Sequence, residues 1–375
     1  MAEKSILGAS VKVTCFIDNL CAGGAQKQIV SLAILLKEAG HSVTILTYYP
    51  QDFFLNELEN SGVNYSCINE PRLLSRVYKI RKTLNSLEQD VVIAFLKTPV
   101  LLAELSSLPY KKWSLIVSER NAYPEKIDKK LFWRRLLHIF ADYVVTNSNT
   151  NHSLLNRNAP WLRNIKTIYN CVDLDYYSPS ERITDSQKIN ILGVGKYSSQ
   201  KNILNLIESI SILLHRMPLL PIHVDWFGDI PIENKNLSYY DSVLRRIVEL
   251  NLQQHVSIHG PEGMLEHYQN STVLILPSFY EGVPNVVCEA MSCGLPILIS
   301  NVGDHDNLVE QDSNGYLFDP HSISDIASTI LNFCSLSRED RIKMSKESRR
   351  KAEKMFSKDR FLKEYLKVIS PEVRN

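Results

Sequence analysis

Short apolar runs alternate with helical patterns along the first half of the chain. The runs predict strands that helices cover on both faces, because they are apolar at successive positions rather than at every second one. Between the first two runs, Gln26–Ala39 has a helical period that ends at Gly40. The predicted strands are Val11–Asp18, Ser42–Tyr49, Asp90–Leu96, Trp113–Ser118, Asp142–Asn147 and Ile165–Tyr169.

A polar stretch from Ser178 to Lys188 interrupts this alternation, and a second array of the same kind follows. Its predicted elements are the helix Ile203–His215 and the strands Ile189–Val194, His223–Phe227, Val256–His259, Val273–Leu276 and Pro296–Ser300. Two such arrays predict an α/β protein with two doubly wound Rossmann-like domains, residues 1–180 and 181–355, facing each other across a cleft. An amphipathic helix within residues 356–375 is expected to pack back on the first domain.

The composition is typical of a globular protein in a reducing compartment. Of the 375 residues, 44% are hydrophobic, and no apolar run reaches the ~18 residues that span a bilayer. The N-terminal residues lack the pattern of a secretory signal. The 7 cysteines include no C-x-x-C pair, so neither a disulfide framework nor a zinc site is expected. We therefore expect a cytoplasmic protein.

Charge is unevenly distributed. The net charge of +1 argues against nucleic-acid binding. Residues 1–180 carry 21 Lys and Arg against 16 Asp and Glu, whereas the remainder carries 21 against 25. The basic first half indicates an anionic partner.

The most informative motif follows the predicted strand Val273–Leu276. It reads Pro-Ser-Phe-Tyr-Glu-Gly-Val-Pro-Asn-Val-Val-Cys-Glu-Ala-Met, with seven residues between Glu281 and Glu289. A helix beginning near Asn285 would leave Glu281 in the preceding loop and place Glu289 one turn inside the helix. The helix N-terminus between them, with its backbone N–H groups and positive dipole end, is a seat for a phosphate.

A second motif, Gly193–Asn202, joins a predicted strand to a helix. It contains Lys196 and Lys201, five positions apart. Gly195 lets the backbone approach a ligand closely, and two cations beside a helix N-terminus suit a leaving diphosphate.

Two strand ends in the first half carry further candidates. Gly23 and Gly24 follow the first strand, but without the G-x-G-x-x-G spacing of a dinucleotide site. Glu119, Arg120 and Asn121 follow a later strand, where three adjacent polar residues are unusual for packing alone.

These motifs together resemble the retaining glycosyltransferases of family 4, which have the two-lobed GT-B fold, and the resemblance covers essentially the whole chain. Members carry an Arg or Lys and, five residues later, a Lys at the turn where Lys196 and Lys201 lie. The Ser-Glu-Arg-Asn sequence ending at Asn121 is similar to the branch that builds bacterial lipid-linked and surface polysaccharides. Many members have a His at that strand end, which this chain lacks.

The resemblance implies a role for each motif. Glu281 is expected to contact the donor sugar, and Lys196 and Lys201 to stabilise the leaving diphosphate, which makes these three the catalytic residues. Glu289 is expected to hold the ribose of the nucleotide. The other expected substrate-binding residues are Gly23, Gly24, Glu119, Arg120, Asn121, Gly195, Gly282, Pro284, Asn285, Val286 and Val287.

The implied reaction is transfer of a hexose or N-acetylhexosamine, with retention, from a nucleotide-sugar that is expected to be UDP-linked. The implied acceptor is a hydroxyl of a glycan or a polyprenyl-diphosphate-linked glycan in O-antigen, lipopolysaccharide or capsule synthesis. The first domain would bind the acceptor and the second the donor, with no metal or other cofactor because the lysines replace it. Two alternatives stay open: a sugar-nucleotide 2-epimerase, which would act on the nucleotide-sugar alone, and a catalytically silent nucleotide-sugar binder.

Two patterns in the sequence resemble metal-binding sites but are interpreted differently. Asp173 and Asp175 form a D-x-D pattern where the resembled family has a structural junction. Asp304, His305 and Asp306 are adjacent on one loop and unsuited to converge on one ion. A role for Gly303–His305 at the edge of the cleft stays open.

Two helical patterns of the first half, Arg72–Leu84 and Lys129–Phe140, combine cations with apolar positions. On the first, Leu73, Val77, Ile80 and Leu84 share one face, and Arg72, Arg76, Lys79 and Lys82 share another. Core packing with solvated cations is one interpretation. The other is docking on anionic lipid, so peripheral association with the inner face of the cell membrane is expected.

Overall fold

A computed structural model describes residues 10–120, 129–180, 188–231 and 235–369. The chain forms two compact units, the first comprising residues 1–171 and 358–375 and the second residues 172–357. The unit boundaries therefore differ from the predicted ones, 180 and 355, by nine and two positions.

The first unit is built around a parallel sheet. Its strands are β1 (Lys12–Phe16), β2 (Ser42–Thr47), β3 (Asn64–Cys67), β4 (Val91–Phe95), β5 (Ser114–Glu119), β6 (Tyr143–Thr146) and β7 (Ile165–Thr167). Its helices are α1 (Gly24–Glu38), α2 (Leu55–Ser61), α3 (Leu73–Ser86), α4 (Lys97–Ser106), α5 (Lys129–Leu136), α6 (Asn149–Asn158) and, at the C-terminal end, α14 (Lys358–Ile369). Over the described residues the strand order is β3-β2-β1-β4-β5-β6-β7.

The second unit repeats this plan. Its strands are β8 (Ile189–Val194), β9 (Ile222–Phe227), β10 (Val256–His259), β11 (Val273–Leu276), β12 (Ile297–Ser300) and β13 (Gly315–Phe318). Its helices are α7 (Ile203–Arg216), α8 (Lys235–Glu249), α9 (Met264–Asn270), α10 (Asn285–Ser292), α11 (His305–Leu308), α12 (Ile323–Ser335) and α13 (Arg338–Phe356). The order of the described strands is β10-β9-β8-β11-β12-β13, all parallel.

The predicted fold class is confirmed for both units, which are doubly wound parallel sheets of the Rossmann type. Every residue of β4, β11 and β12 is buried, as strands covered on both faces require. Helix α14 places Phe361 and Tyr365 in the core of the first unit with Ile29 of α1. Among the described helices, none has the length and apolarity to cross a membrane.

Three side chains of α3 and α5 lie differently from the predicted helix faces. Leu73, assigned to an apolar core stripe, is 56% exposed. Arg76, assigned to a solvated face, is buried: its guanidinium donates to the carbonyls of Glu70 and Pro71 and lies over the Tyr48 ring. Arg135 is also buried, so a cation at helical spacing does not by itself mark an exposed face.

Candidate active site

In the second unit, the carboxyl ends of β8 and β11 lie side by side because these strands pair directly. Lys201 follows β8 and Glu281 follows β11. The Lys201 Nζ lies 2.5 Å from Glu281 Oε1, and the two side chains are only 15% and 13% exposed. Two residues that the sequence analysis assigned to chemistry thus form a partly buried ion pair with each other.

The loop that carries Lys201 is fixed by its neighbours. Asn202 adopts a left-handed conformation (φ 55), which asparagine tolerates better than most residues. Its buried side-chain amide donates to the carbonyls of Pro277 (3.0 Å) and Pro320 (2.8 Å). Gln200 adds a side-chain hydrogen bond to the Tyr280 carbonyl at 2.8 Å. The loops after β8, β11 and β13 are therefore tied together at Asn202.

The Lys201 side chain packs closely against Gly195, so a larger residue there would displace it. A Cβ at this position would lie 2.8 Å from Lys201 Cε, which is closer than carbon atoms approach. The Gly195 carbonyl is held from the other side, where it accepts a hydrogen bond from the Trp226 indole at 2.9 Å. Lys196, next in the chain, is exposed, so its ammonium is available to a ligand at this edge.

Helix α10 begins at Asn285, as the motif predicts, with Pro284 at its N-cap. The Val287 and Cys288 amides donate to the Pro284 carbonyl and close the first turn of the helix. The N-terminus of α10, the positive end of its dipole, therefore lies four residues after Glu281 in the chain. Glu289 lies one turn inside and is buried, and its Oε2 accepts a hydrogen bond from the Tyr268 hydroxyl at 3.1 Å. Burial and the Glu289 charge raise the pKa of Tyr268 well above its ordinary value, so Tyr268 stays a donor.

The remaining motif residues of this unit lie in the same loop as Glu281. Gly282 is half-buried and Pro284 buried, while Asn285 and Val286 are half-buried and Val287 is buried. Gly303, in the loop after β12, adopts φ +59, and a Cβ there would lie 2.3 Å from the Glu281 carbonyl. The loop after β12 therefore packs, through Gly303, against the backbone of Glu281. Asn202 and Tyr268 also support the site, and the sequence pattern did not single them out, although Asn202 is the last residue of the Gly193–Asn202 motif.

In the first unit, Gly23 is the N-cap of α1, and Gly24 is the first residue of the helix. A Cβ at Gly23 would lie 2.3 Å from Gln26 Oε1, whose side-chain amide donates to Asp18 Oδ1 (3.3 Å). The loop between β1 and α1 is compact at Gly23. The first turn of α1, which follows it, contains no acidic residue.

Glu119, at the end of β5, is the centre of a buried charge cluster. Its Oε1 lies 2.9 Å from Arg134 Nη2 and 3.0 Å from His138 Nε2, and Arg135 approaches Oε2 at 3.6 Å. The His138 Nδ1 lies 2.5 Å from Glu104 Oε1. We name these five residues the Glu119 cluster.

Opposing effects set the charges in the Glu119 cluster. Burial lowers the pKa of His138, but the hydrogen bonds to Glu104 and Glu119 outweigh it and raise the pKa to about 9. Burial raises the pKa of Glu119, but His138, Arg134 and Arg135 together bring it down to about 2. The Glu119 carboxylate is thus engaged by its own unit, and the cluster holds the end of β5 in place.

Arg120 points into the first unit as well. Its guanidinium lies over the Phe95 ring at 4.5 Å and donates to Asn170, and burial lowers its pKa. Asn121 lies outside the described residues. Asp173 accepts hydrogen bonds from the backbone amides of Asp175 and Tyr176, each at 3.2 Å, as a turn-forming aspartate does.

Two family models match the chain, one in each half. The model described as Glycosyltransferase Family 4 matches residues 22–176, and that described as Glycosyl transferases group 1 matches residues 179–351. An uncharacterized glycosyltransferase of Haemophilus influenzae is 24% identical over 327 residues, 84% of this chain and 88% of that protein. The UDP-Gal:alpha-D-GlcNAc-diphosphoundecaprenol alpha-1,3-galactosyltransferase of Escherichia coli is 27% identical over 44% of each chain.

Solved structures share the fold over nearly the whole chain. A glycosyltransferase from Rickettsia africae superposes with a TM-score of 0.83 at 18% identity, covering 98% of this chain and 99% of its own. Anabaena Alr3699/HepE, solved in complex with UDP, superposes with a TM-score of 0.82 at 19% identity, covering 96% and 100%. The two α/β units thus have the fold of GT-B glycosyltransferases.

Proposed function

Because the chain belongs to the group 1 glycosyltransferases, we propose that it transfers a hexose or N-acetylhexosamine from a UDP-sugar to a glycan hydroxyl with retention of configuration. The observation that carries this proposal is the Lys201–Glu281 pair at adjacent strand ends, beside the N-terminus of α10. A cation, a carboxylate and a helix dipole at one sheet edge suit the diphosphate and the sugar hydroxyls of such a donor.

The proposed reaction is a substitution on the face of the sugar from which the diphosphate leaves. The bond between the sugar C1 and the acceptor oxygen forms as the bond between C1 and the phosphate oxygen breaks, and that phosphate oxygen takes the acceptor proton. Lys196 and Lys201 stabilise the charge of the leaving nucleoside diphosphate, and Glu281 binds the sugar hydroxyls. We propose no metal, since two lysines and a helix N-terminus supply positive charge there.

The choice of donor is supported by what related proteins bind. Anabaena Alr3699/HepE was solved with UDP and with UDP-glucose, and the Escherichia coli relative is named for a UDP-galactose donor and a diphosphoundecaprenol-linked acceptor. We propose the same donor class here, with Glu289 holding the ribose. We also propose that the acceptor is a lipid-linked or surface glycan and that it binds the first unit.

A thermal-shift screen of UDP- and GDP-sugars tests the donor. A ligand at 100 times its Kd adds about 2.7 kcal/mol of stability, so a true donor raises the unfolding temperature clearly. Turnover with acceptor glycans follows for the sugar that binds. An epimer formed from the nucleotide-sugar alone would favour the 2-epimerase instead, and binding without any turnover would favour a silent binder.

We further propose that the first unit docks on anionic membrane through α3. On this helix Leu74 is 86% exposed and Tyr78, one turn later, is 67% exposed. Tyr110, 67% exposed, belongs to the neighbouring loop, whose carbonyl groups accept hydrogen bonds from Arg81 of α3. Exposed Lys82 adds positive charge beside these apolar groups.

The test compares binding to vesicles of anionic and of neutral lipid. Binding to anionic vesicles is expected to fall as salt rises, because exposed charges are screened within ~8 Å at physiological ionic strength. Leu74→Ser with Tyr78→Ser should remove it. Leu219→Ser is the matched control, because Leu219 is 95% exposed but lies in the second unit. Equal binding of both variants would contradict docking through α3.

A further inference from the structure

His305 is a buried histidine of the second unit with one satisfied ring nitrogen. Its side chain has no exposed surface, and Nδ1 lies 2.7 Å from the carbonyl oxygen of Ser300. A carbonyl oxygen only accepts, so Nδ1 carries the proton and Nε2 of the neutral ring holds a lone pair. Among the described residues, no group hydrogen-bonds to the buried Nε2.

The charged groups that act on this ring include the catalytic candidates. Burial is the largest influence and lowers the pKa of His305; the Lys201 charge lowers it too, while Glu281 and Asp304 act in the opposite direction. The loop of His305 is also packed on Glu281, through the contact of Gly303 with the Glu281 carbonyl. His305 is thus a neutral ring within the electrostatic reach of the Lys201–Glu281 pair.

We propose that His305 is a positioning residue for Glu281, which takes up a proton from solvent on Nε2 when the diphosphate of a donor binds. The inference rests on the proposed function, since it takes Lys201 as the cation that meets the diphosphate. When the Lys201 ammonium turns toward the phosphates, Glu281 loses its counter-charge and the ring loses a cation that opposes protonation. The imidazolium then supplies positive charge near Glu281 in place of Lys201, which keeps the carboxylate in place for the sugar hydroxyls.

This exchange gives donor binding a defined pH dependence. A ligand whose binding raises the pKa of one group binds more tightly as pH falls, by up to ~tenfold per pH unit between the two pKa values. Since the pKa of His305 starts below its ordinary value, affinity should rise as pH falls toward and below neutrality and should level off in alkaline solution.

Calorimetry with UDP-glucose, in two buffers of different ionisation enthalpy, measures the proton directly. UDP-glucose is the probe because its diphosphate, unlike that of UDP, has no proton to exchange near neutral pH. Wild-type protein should take up a fraction of a proton per ligand. His305→Asn keeps a donor for the Ser300 carbonyl but has no titrating nitrogen, so its uptake should vanish and its affinity should fall at least ~fivefold at pH 6 while staying level with pH.

His223→Gln is the matched control, because His223 lies near the amino end of β9 and hydrogen-bonds Ser257 there. It should retain wild-type uptake. His305→Gln, which keeps a polar group near the position of Nε2, replaces the Asn variant if that one does not fold. Wild-type binding without uptake, or equal uptake in wild type and the folded His305 variant, overturns the proposal. Failure of wild type to bind any UDP-sugar overturns the donor assignment, and this inference with it.

Discussion

Replacing Lys201 with Ala should separate catalysis from stability in the second unit. The variant removes a cation that lies 2.5 Å from Glu281 and leaves a carboxylate that is 13% exposed. Exposed ion pairs contribute ~0–1 kcal/mol, and breaking fully buried ones costs ~3–5 kcal/mol. For this partly buried pair we expect about 1–2 kcal/mol of lost stability, which lowers the unfolding temperature by roughly 2–8 °C in a domain of this size.

The catalytic loss should be much larger. A preorganised charge that meets a developing anion contributes ~3–4 kcal/mol in the transition state, so kcat should fall about 10²–10³-fold. Adding Glu281→Gln to Lys201→Ala should lower kcat little further, because residues that act as a unit are not additive. The assay is steady-state turnover of the donor that wild type uses, alongside thermal unfolding of each variant.

Lys343→Ala is the matched control, because Lys343 is a 76% exposed lysine paired with Asp340 in the same unit. It should change neither the unfolding temperature measurably nor kcat. A folded Lys201→Ala protein with kcat within about threefold of wild type would refute the assignment, and so would an equal loss in the Lys343 control.

Three further outcomes are expected. Glu289→Gln should weaken the binding of UDP itself, measured by calorimetry, because an amide offers only one good acceptor to the two ribose hydroxyls. Gly195→Ala should lower kcat by displacing Lys201, whereas Gly263→Ala, whose Cβ would meet nothing within 4 Å, should not. The free energy of unfolding in urea should decline as pH rises from about 6.5 through about 9, because native His138 has its pKa raised to about 9 while the unfolded residue titrates near 6.5. A pH-independent value in that range would contradict a charged His138.

The sequence predicted those parts of the fold that depend on continuous apolar runs. The strand Val273–Leu276 lies where the pattern predicts it, because burial on both faces requires a continuous apolar run. Helix α10 begins at Asn285 as predicted, because Pro284 at the N-cap marks the start of a helix in the sequence itself. Strands β3 and β13, both at sheet edges, were not predicted. No residue of β3 is buried, which weakens its apolar signal, whereas β13 is mostly buried but has only 4 residues and begins with a glycine.

The sequence predicted which residues belong to the site, but it did not predict which of their side chains contact each other. Lys201 and Glu281 are 80 residues apart, and only the pairing of β8 with β11 brings them to 2.5 Å. Arg76 and Arg135 are the converse case. Their helical spacing is that of a solvated face, but each buried guanidinium has an acceptor outside its helix. Arg76 donates to the carbonyls of Glu70 and Pro71, in the segment just before α3, and Arg135 lies beside Glu119 at the end of β5.

The side-chain bridges of Asn202 bear on attempts to redesign donor choice. The Asn202 side-chain amide joins the loops after β8, β11 and β13, so the conformation of each loop depends on the other two. Grafting the Glu281 loop of another glycosyltransferase onto this chain would shift the backbone carbonyl at position 277 that accepts from Asn202, and so loosen the loop that carries Lys201. Specificity should therefore transfer only when residues 195–202 and 277–284 are exchanged together and the new residue at position 202 still reaches the Pro320 carbonyl of the third loop.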